Sequence, residues 1–205
     1  QMLTMAGIDF IFFDTTNALI YANVFLKVCA VIDEMLKEGW NAPKVVFYTH
    51  SLSFQTVRAL YKELYKPHRF PDTWYRVDGK PLIIAYTNPE DDLREAASRN
   101  DTNYPGGFPW VEWTFPQPLH TGSGVMNVTV ASHPMVPMSF SLTRSDWLNW
   151  GRGWNPSTRL NVASDVERGT FFQLQWDHAI AMDPPMISVG GWNQWIAYKH
   201  PYDGQ

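Results

Sequence analysis

Apolar positions along this chain follow two alternating rhythms. GIDFIFFD, residues 7–14, is a short run rich in Ile and Phe, which reads as a strand buried on both faces. Thr15, Thr16 and Asn17 follow as capping residues. Tyr21, Val24, Phe25, Val28, Ile32, Met35 and Leu36 then recur at helical spacing, with Lys27, Asp33, Glu34 and Lys37 between them, and Gly39 ends the helix. The cycle restarts with KVVFYTH (44–50) as a strand and residues 53–65 as a helix. PLIIAY (81–86) is a strand and Pro89 to Ser98 a charged helix. FPWVEW (108–113) and NVTVASH (127–133) are further strands, and a loop rich in Trp, Gly and Asn runs from Met138 to about Asp165. Residues 170–182 are helical, because Phe172, Trp176 and Ala179 with Ile180 share a face; Pro184 and Pro185 stop that helix before the strand MISVGG (186–191).

Strand–helix alternation with short connections predicts a parallel α/β architecture. The count is roughly six strands, against eight in a (β/α)8 barrel of about 250 residues. The first strand starts at residue 7, and QMLTMA before it looks like a helix end. The expectation is therefore a single TIM-type barrel domain over residues 1–205 that lacks its first two β/α units. The competing fold, a doubly wound open sheet, should carry a Gly-rich phosphate turn after a strand. No strand end here has G-x-G-x-x-G or G-x-x-x-x-G-K-[ST].

Composition narrows the function. A net charge of −4 with no basic stripe argues against a nucleic-acid partner. No run of eighteen apolar residues occurs, so no membrane span is expected. Cys29, the single cysteine, lies within a helical pattern and reads as a buried, inert thiol. Ten Trp, nine Tyr and twelve Phe are more than a core of this size calls for. Trp147, Trp150, Trp154, Trp192 and Trp195 stand in polar, Gly-rich surroundings. Aromatic faces beside polar groups suit a sugar, although the same rings could close the end of a barrel.

On a barrel, chemistry gathers at the C-terminal ends of strands. Those ends carry Asp14, Tyr48 with His50, Tyr86, Glu112 with Trp113, His133, and Trp192-Asn193-Gln194. Asp14 could bind a sugar hydroxyl, act as a base, or hold the turn through Thr15 to Asn17. Glu112, between Trp110 and Trp113, could have a raised pKa and serve as general acid, or pair with an arginine. His50 and His133 lack a metal-ligand spacing, so no metal or cofactor is expected and hydrogen bonds to a sugar suit them better. In DWLNWGRGWN (146–155), Arg152 stands between glycines among Trp147, Trp150 and Trp154; it could fork onto an anionic sugar substituent or tie the loop to an acid such as Asp177.

GIDFIFFDTTNA, VVFYTH, GKPLIIA, PWVEWTFPQ, NWGRGWN and GGWNQWIA together resemble bacterial glycoside hydrolase family 71/99-like proteins over nearly the whole chain. The resemblance implies a (β/α)8 barrel acting on polysaccharide, and a secreted, periplasmic or cell-surface location. Family 99 is a retaining family, whose proposed mechanism uses the substrate 2-hydroxyl as internal nucleophile with help from two glutamates. In its motif Asn-Glu-Trp-His-Glu, Asn193 and Trp195 match the first and third positions, while Gln194 and Ala197 stand where the glutamates would be. An amide cannot act as a base and is a very poor acid. Three readings of Gln194 stay open: an engineered knockout, a natural binder or weak enzyme, or chemistry that rests on Glu112 and Asp14. The expectation is a glycoside hydrolase with Glu112 as acid, Asp14 as partner or sugar clamp, and Trp113, Trp150, Trp154, Trp192 and Trp195 stacking on sugar rings. The alternative is a non-catalytic carbohydrate-binding barrel.

Overall fold

The computed structural model describes residues 2–85, 103–108, 126–129, 154–155, 157–158 and 160–190. The chain divides into two compact units, Gln1–Trp110 and Val111–Gln205.

The first unit is a repeated strand–helix pattern. After a single helical turn, α1 (Met2–Met5), come β1 (Phe10–Asp14), α2 (Ala22–Lys37), β2 (Lys44–Tyr48) and α3 (Ser53–Leu60). α3 runs on into a π turn at Tyr61–Tyr65, and a 3-10 turn at Pro71–Thr73 leads to β3 (Arg76–Val77), β4 (Lys80–Ile84) and β5 (Gly106–Phe108). β1, β2, β4 and β5 lie side by side in that order and run parallel. β3 pairs antiparallel with the start of β4, Arg76 opposite Pro81 and Val77 opposite Lys80. The two residues between them, Asp78 and Gly79, both have positive φ, at 51° and 77°. That is the backbone of a type I′ hairpin, for which Asp-Gly is a favoured pair.

Alternation along the strands sets the core. Ile11 and Phe13, Val45 and Phe47, Ile83 and Ala85 point to the helical side. There they meet Phe25, Cys29 and Ile32 of α2, Val57 and Leu60 of α3, and Leu64 and Tyr65 of the π turn. Spacing of i, i+4 and i+7 in α2 puts its three residues on one stripe, and the wider π turn brings both Leu64 and Tyr65 inward. Phe47 is the hub, fully buried: its ring stacks on Phe13 at 5.6 Å and meets Phe25 and Tyr65 edge-on at 5.1 and 6.3 Å. Cys29 is buried in the same cluster, and burial pushes its thiol pKa up to about 11, which leaves it protonated and inert.

In the second unit β6 (Met126–Thr129) pairs parallel with β9 (Ile187–Gly190), and β7 (Trp154–Asn155) pairs antiparallel with β8 (Leu160–Asn161). Two helices, α4 (Ala163–Arg168) and α5 (Thr170–Met182), meet at Gly169, whose φ of 65° makes the bend. Phe172, Trp176 and Ala179 of α5 pack against Met126, Val128 and Ile187.

These observations correct several expectations. The (β/α)8 barrel without its first two units is overturned: the strands of the first unit form an open mixed sheet with an antiparallel member, and among the described residues β1 pairs with β2 alone. Strand–helix alternation is common to barrels and open sheets, so it could not by itself specify closure. The run 7–14 is half-buried at residues 10–13 and exposed at Asp14, as suits a strand that, among the described residues, is paired on one side. Thr15 to Asn17 form a turn and do not cap α2, which starts five residues beyond Asn17 at Ala22. Tyr21 and Val24 are exposed, and Asp33 is buried and paired with Lys37 one turn on. The region taken as loop up to Asp165 contains β7, β8 and the start of α4, and Ile180 is exposed. Gly39 does end α2: the amides of Gly39 and Trp40 donate to Leu36 and Met35, a Schellman arrangement. The proposed helix from Pro89 to Ser98 lies outside the described residues.

Truncating the hub should cost more than any other single change in this core. Phe47→Ala is expected to destabilise the first unit by about 3–5 kcal/mol in denaturant unfolding, and Phe47→Leu by about 1 kcal/mol.

Candidate functional site

The parallel strands β1 and β2 end level with one another, Asp14 in register with Tyr48. Both residues have the parity of Phe12 and Val46, so they lie on the face away from α2 and α3. Tyr48 is buried, with its ring edge-on to Phe12 at 5.4 Å. Beyond the strand ends the ladder continues through threonines. Thr15, fully buried, donates to the Tyr48 carbonyl from both its amide and its hydroxyl, each at 2.8 Å. The Thr49 amide donates to the Ile84 carbonyl at 2.8 Å, and its hydroxyl shares a 2.6 Å hydrogen bond with that of Ser53, the first residue of α3. Buried hydroxyls satisfied in this way hold the strand ends and the following connections as one rigid edge.

Asp14 caps its own turn. Its Oδ1 accepts the amide of Thr16 at 3.0 Å and the hydroxyl of Thr16 at 2.6 Å, while Oδ2 has no hydrogen-bond partner among the described residues. One carboxylate oxygen thus fixes the turn and the other stays open to solvent at an exposed position. Both alternatives for Asp14, turn-holding and ligand contact, are compatible with one side chain.

His50 stands two residues past β2, half-buried, with the Ser51 hydroxyl 3.5 Å from its Nδ1. Burial lowers its pKa below the ordinary 6.5. Its ring is neutral at pH 7 and carries one donor and one acceptor nitrogen.

Three predicted site residues, Asp14, Tyr48 and His50, therefore gather at one edge of the sheet. For Trp154 the backbone pairs with Asn161 in the β7–β8 hairpin. Glu112, Trp113, His133, Trp150, Arg152, Trp192, Asn193, Gln194 and Trp195 lie outside the described residues. Asp177, considered as a partner for Arg152, accepts a 2.7 Å hydrogen bond from Gln173 on its own helix. Among the described residues no three His, Cys, Asp or Glu side chains cluster closely enough to hold a metal ion, and no helix is long and apolar enough to cross a membrane. The strand-end reading overlooked Thr15, Thr49, Ser51 and Ser53. Their signal was the hydroxyl residue after each strand and at the head of α3.

The shift of His50 has a defined sign. Its folded pKa is depressed, so the unfolded chain takes up the proton at higher pH than the native protein. His50 should therefore leave stability at its full value above about pH 6.5 and erode it as the pH falls below that. An NMR titration of the His50 ring should give a midpoint below 6.5, and His50→Gln should flatten the loss of stability on the acid side.

No family model, curated protein or solved structure matches the chain.

Proposed function

We propose that this protein acts on carbohydrate as a glycoside hydrolase, with part of its site at the C-terminal edge of β1 and β2. The observation that carries this reading is the joint presence of Asp14, Tyr48 and His50 at that edge, on connections braced by Thr15, Thr49 and Ser53. Ligands of parallel α/β sheets bind outside the carboxyl ends of the strands. An open carboxylate oxygen and a neutral imidazole are groups that hold sugar hydroxyls. The density of Trp and Tyr in the chain, and the motifs that resemble glycoside hydrolase family 71/99-like proteins, support the same substrate class.

In this reading the general-acid role falls to Glu112 of the second unit, and Asp14 of the first unit clamps a sugar hydroxyl. Gln194 contributes hydrogen bonds alone, since an amide cannot act as a base and is a very poor acid. The second reading is a carbohydrate-binding protein without turnover. It is favoured by Gln194, and by the engagement of Asp14 Oδ1 in its own turn, which gives that carboxylate a structural task.

Reducing-end release from a panel of neutral, uronic-acid and sulfated polysaccharides tests the first reading. Glu112→Gln should lower turnover about 10²- to 10⁴-fold, as loss of a general acid does. Unchanged turnover in Glu112→Gln would remove Glu112 from the mechanism. Binding without turnover in the unaltered protein and in Gln194→Glu alike would favour the second reading.

A further inference from the structure

Tyr21 stands at the head of α2, exposed and in a strained backbone conformation. The apolar spacing of the sequence counts it with the buried face of the helix, yet the residue is 46% exposed. Its backbone is left-handed, φ 50° and ψ 48°, a region that suits Gly or Asn and penalises a side chain of this bulk. Packing does not offset the strain, because Tyr21 is outside the core cluster. Capping does not offset it either, since no side-chain hydrogen bond caps α2 at this position. Strain of this kind at an exposed aromatic points from structure to use.

The ring is also held. Asn17 donates from Nδ2 to the Tyr21 hydroxyl at 2.7 Å, and accepts from the Leu19 amide through Oδ1 at 3.4 Å. The Asn17 turn is continuous with the one built by Asp14 and Thr16, and the Ala18 amide donates back to the Thr15 carbonyl at 3.2 Å. The Ser51 amide donates to the Thr16 carbonyl at 2.9 Å, which ties this connection to the one that carries His50. Tyr21 thus presents an exposed, oriented aromatic face on the same braced connection as the open oxygen of Asp14. A second left-handed residue, Leu52, is 61% exposed where the tied connection enters α3.

We infer that Tyr21 is a stacking platform for a pyranose ring, set beside the hydroxyl-binding groups Asp14 and His50. The inference rests on the carbohydrate reading above and adds a residue that the aromatic-rich loops did not single out. Apolar C–H faces of a pyranose pack on an aromatic face, and polar groups at its rim take the hydroxyls. The phenol oxygen accepts from Asn17, which holds the ring in place while its O–H can still donate.

Affinity electrophoresis against the same polysaccharide panel, with Kd from titration of the best binder, tests this. Tyr21→Asn removes the ring and suits the left-handed backbone, so it should keep or raise the melting temperature while weakening binding about tenfold. Tyr21→Trp should retain binding, and Tyr21→Phe should lie within about threefold of the unaltered protein, because the face remains. Equal affinity of Tyr21→Asn and the unaltered protein overturns the platform. If Asp14→Asn then weakens binding where Tyr21→Asn does not, the carbohydrate site stands without Tyr21. Absence of binding by the unaltered protein to every polysaccharide in the panel overturns the carbohydrate reading and the platform together.

Discussion

The first unit depends on burial of the Phe47 ring. β2 lies between β1 and β4, and Phe47, its penultimate residue, faces α2 and the π turn. Three aromatic rings, one from β1, one from α2 and one from the π turn, close around it. Those contacts fix the distance of the helices from the sheet, because close-packed interiors leave no room for adjustment. Parallel pairing then follows: with Phe13 stacked on Phe47, register places Asp14 beside Tyr48. The level strand ends, and hence the candidate edge, descend from an apolar contact one residue below them.

Around that edge the chain uses hydroxyls where a longer strand would use more ladder. Thr15 and Thr49 continue the hydrogen bonding past β1 and β2, so both connections leave the sheet without buried polar atoms going unmet. The rigidity has a cost in backbone strain. Ala18, Tyr21 and Leu52 all adopt positive φ within these two connections, and none is glycine. Helices α2 and α3 therefore begin from left-handed residues with no side-chain cap, and packing of their apolar faces stabilises them instead.

Much of this was legible in the residues. The α2 stripe of Phe25, Cys29 and Ile32, its stop at Gly39, the α5 stripe of Phe172, Trp176 and Ala179, and the strands at 44–48, 80–84 and 187–190 follow the expected periodicity, since burial on one face imposes it. Asp78-Gly79 carried a hairpin signal that was overlooked, because the antiparallel β3 is only two residues long. Hydroxyl residues at 15–17 suggested a helix cap, yet the same side chains serve an Asx turn equally well, and only the position of α2 distinguishes the two. Barrel closure was beyond reach, as it depends on pairing between distant strands that no local pattern encodes. For the candidate site, the strand-end rule places Asp14, Tyr48 and His50 at one edge because parallel strands in register end together. It missed Tyr21, since an aromatic at helical spacing is indistinguishable from a core residue until its exposure is known.

The central claim is that the connections following β1 and β2 form one carbohydrate-binding edge. Amide chemical-shift mapping during titration with oligosaccharide fragments of a polysaccharide that the protein binds tests it most directly. The account predicts the largest shifts together in two segments, Asp14 to Tyr21 and Thr49 to Leu52, with the Thr16 and Ser51 amides among them because each is bonded within the braced turn. Saturable binding that leaves both segments unshifted would contradict it.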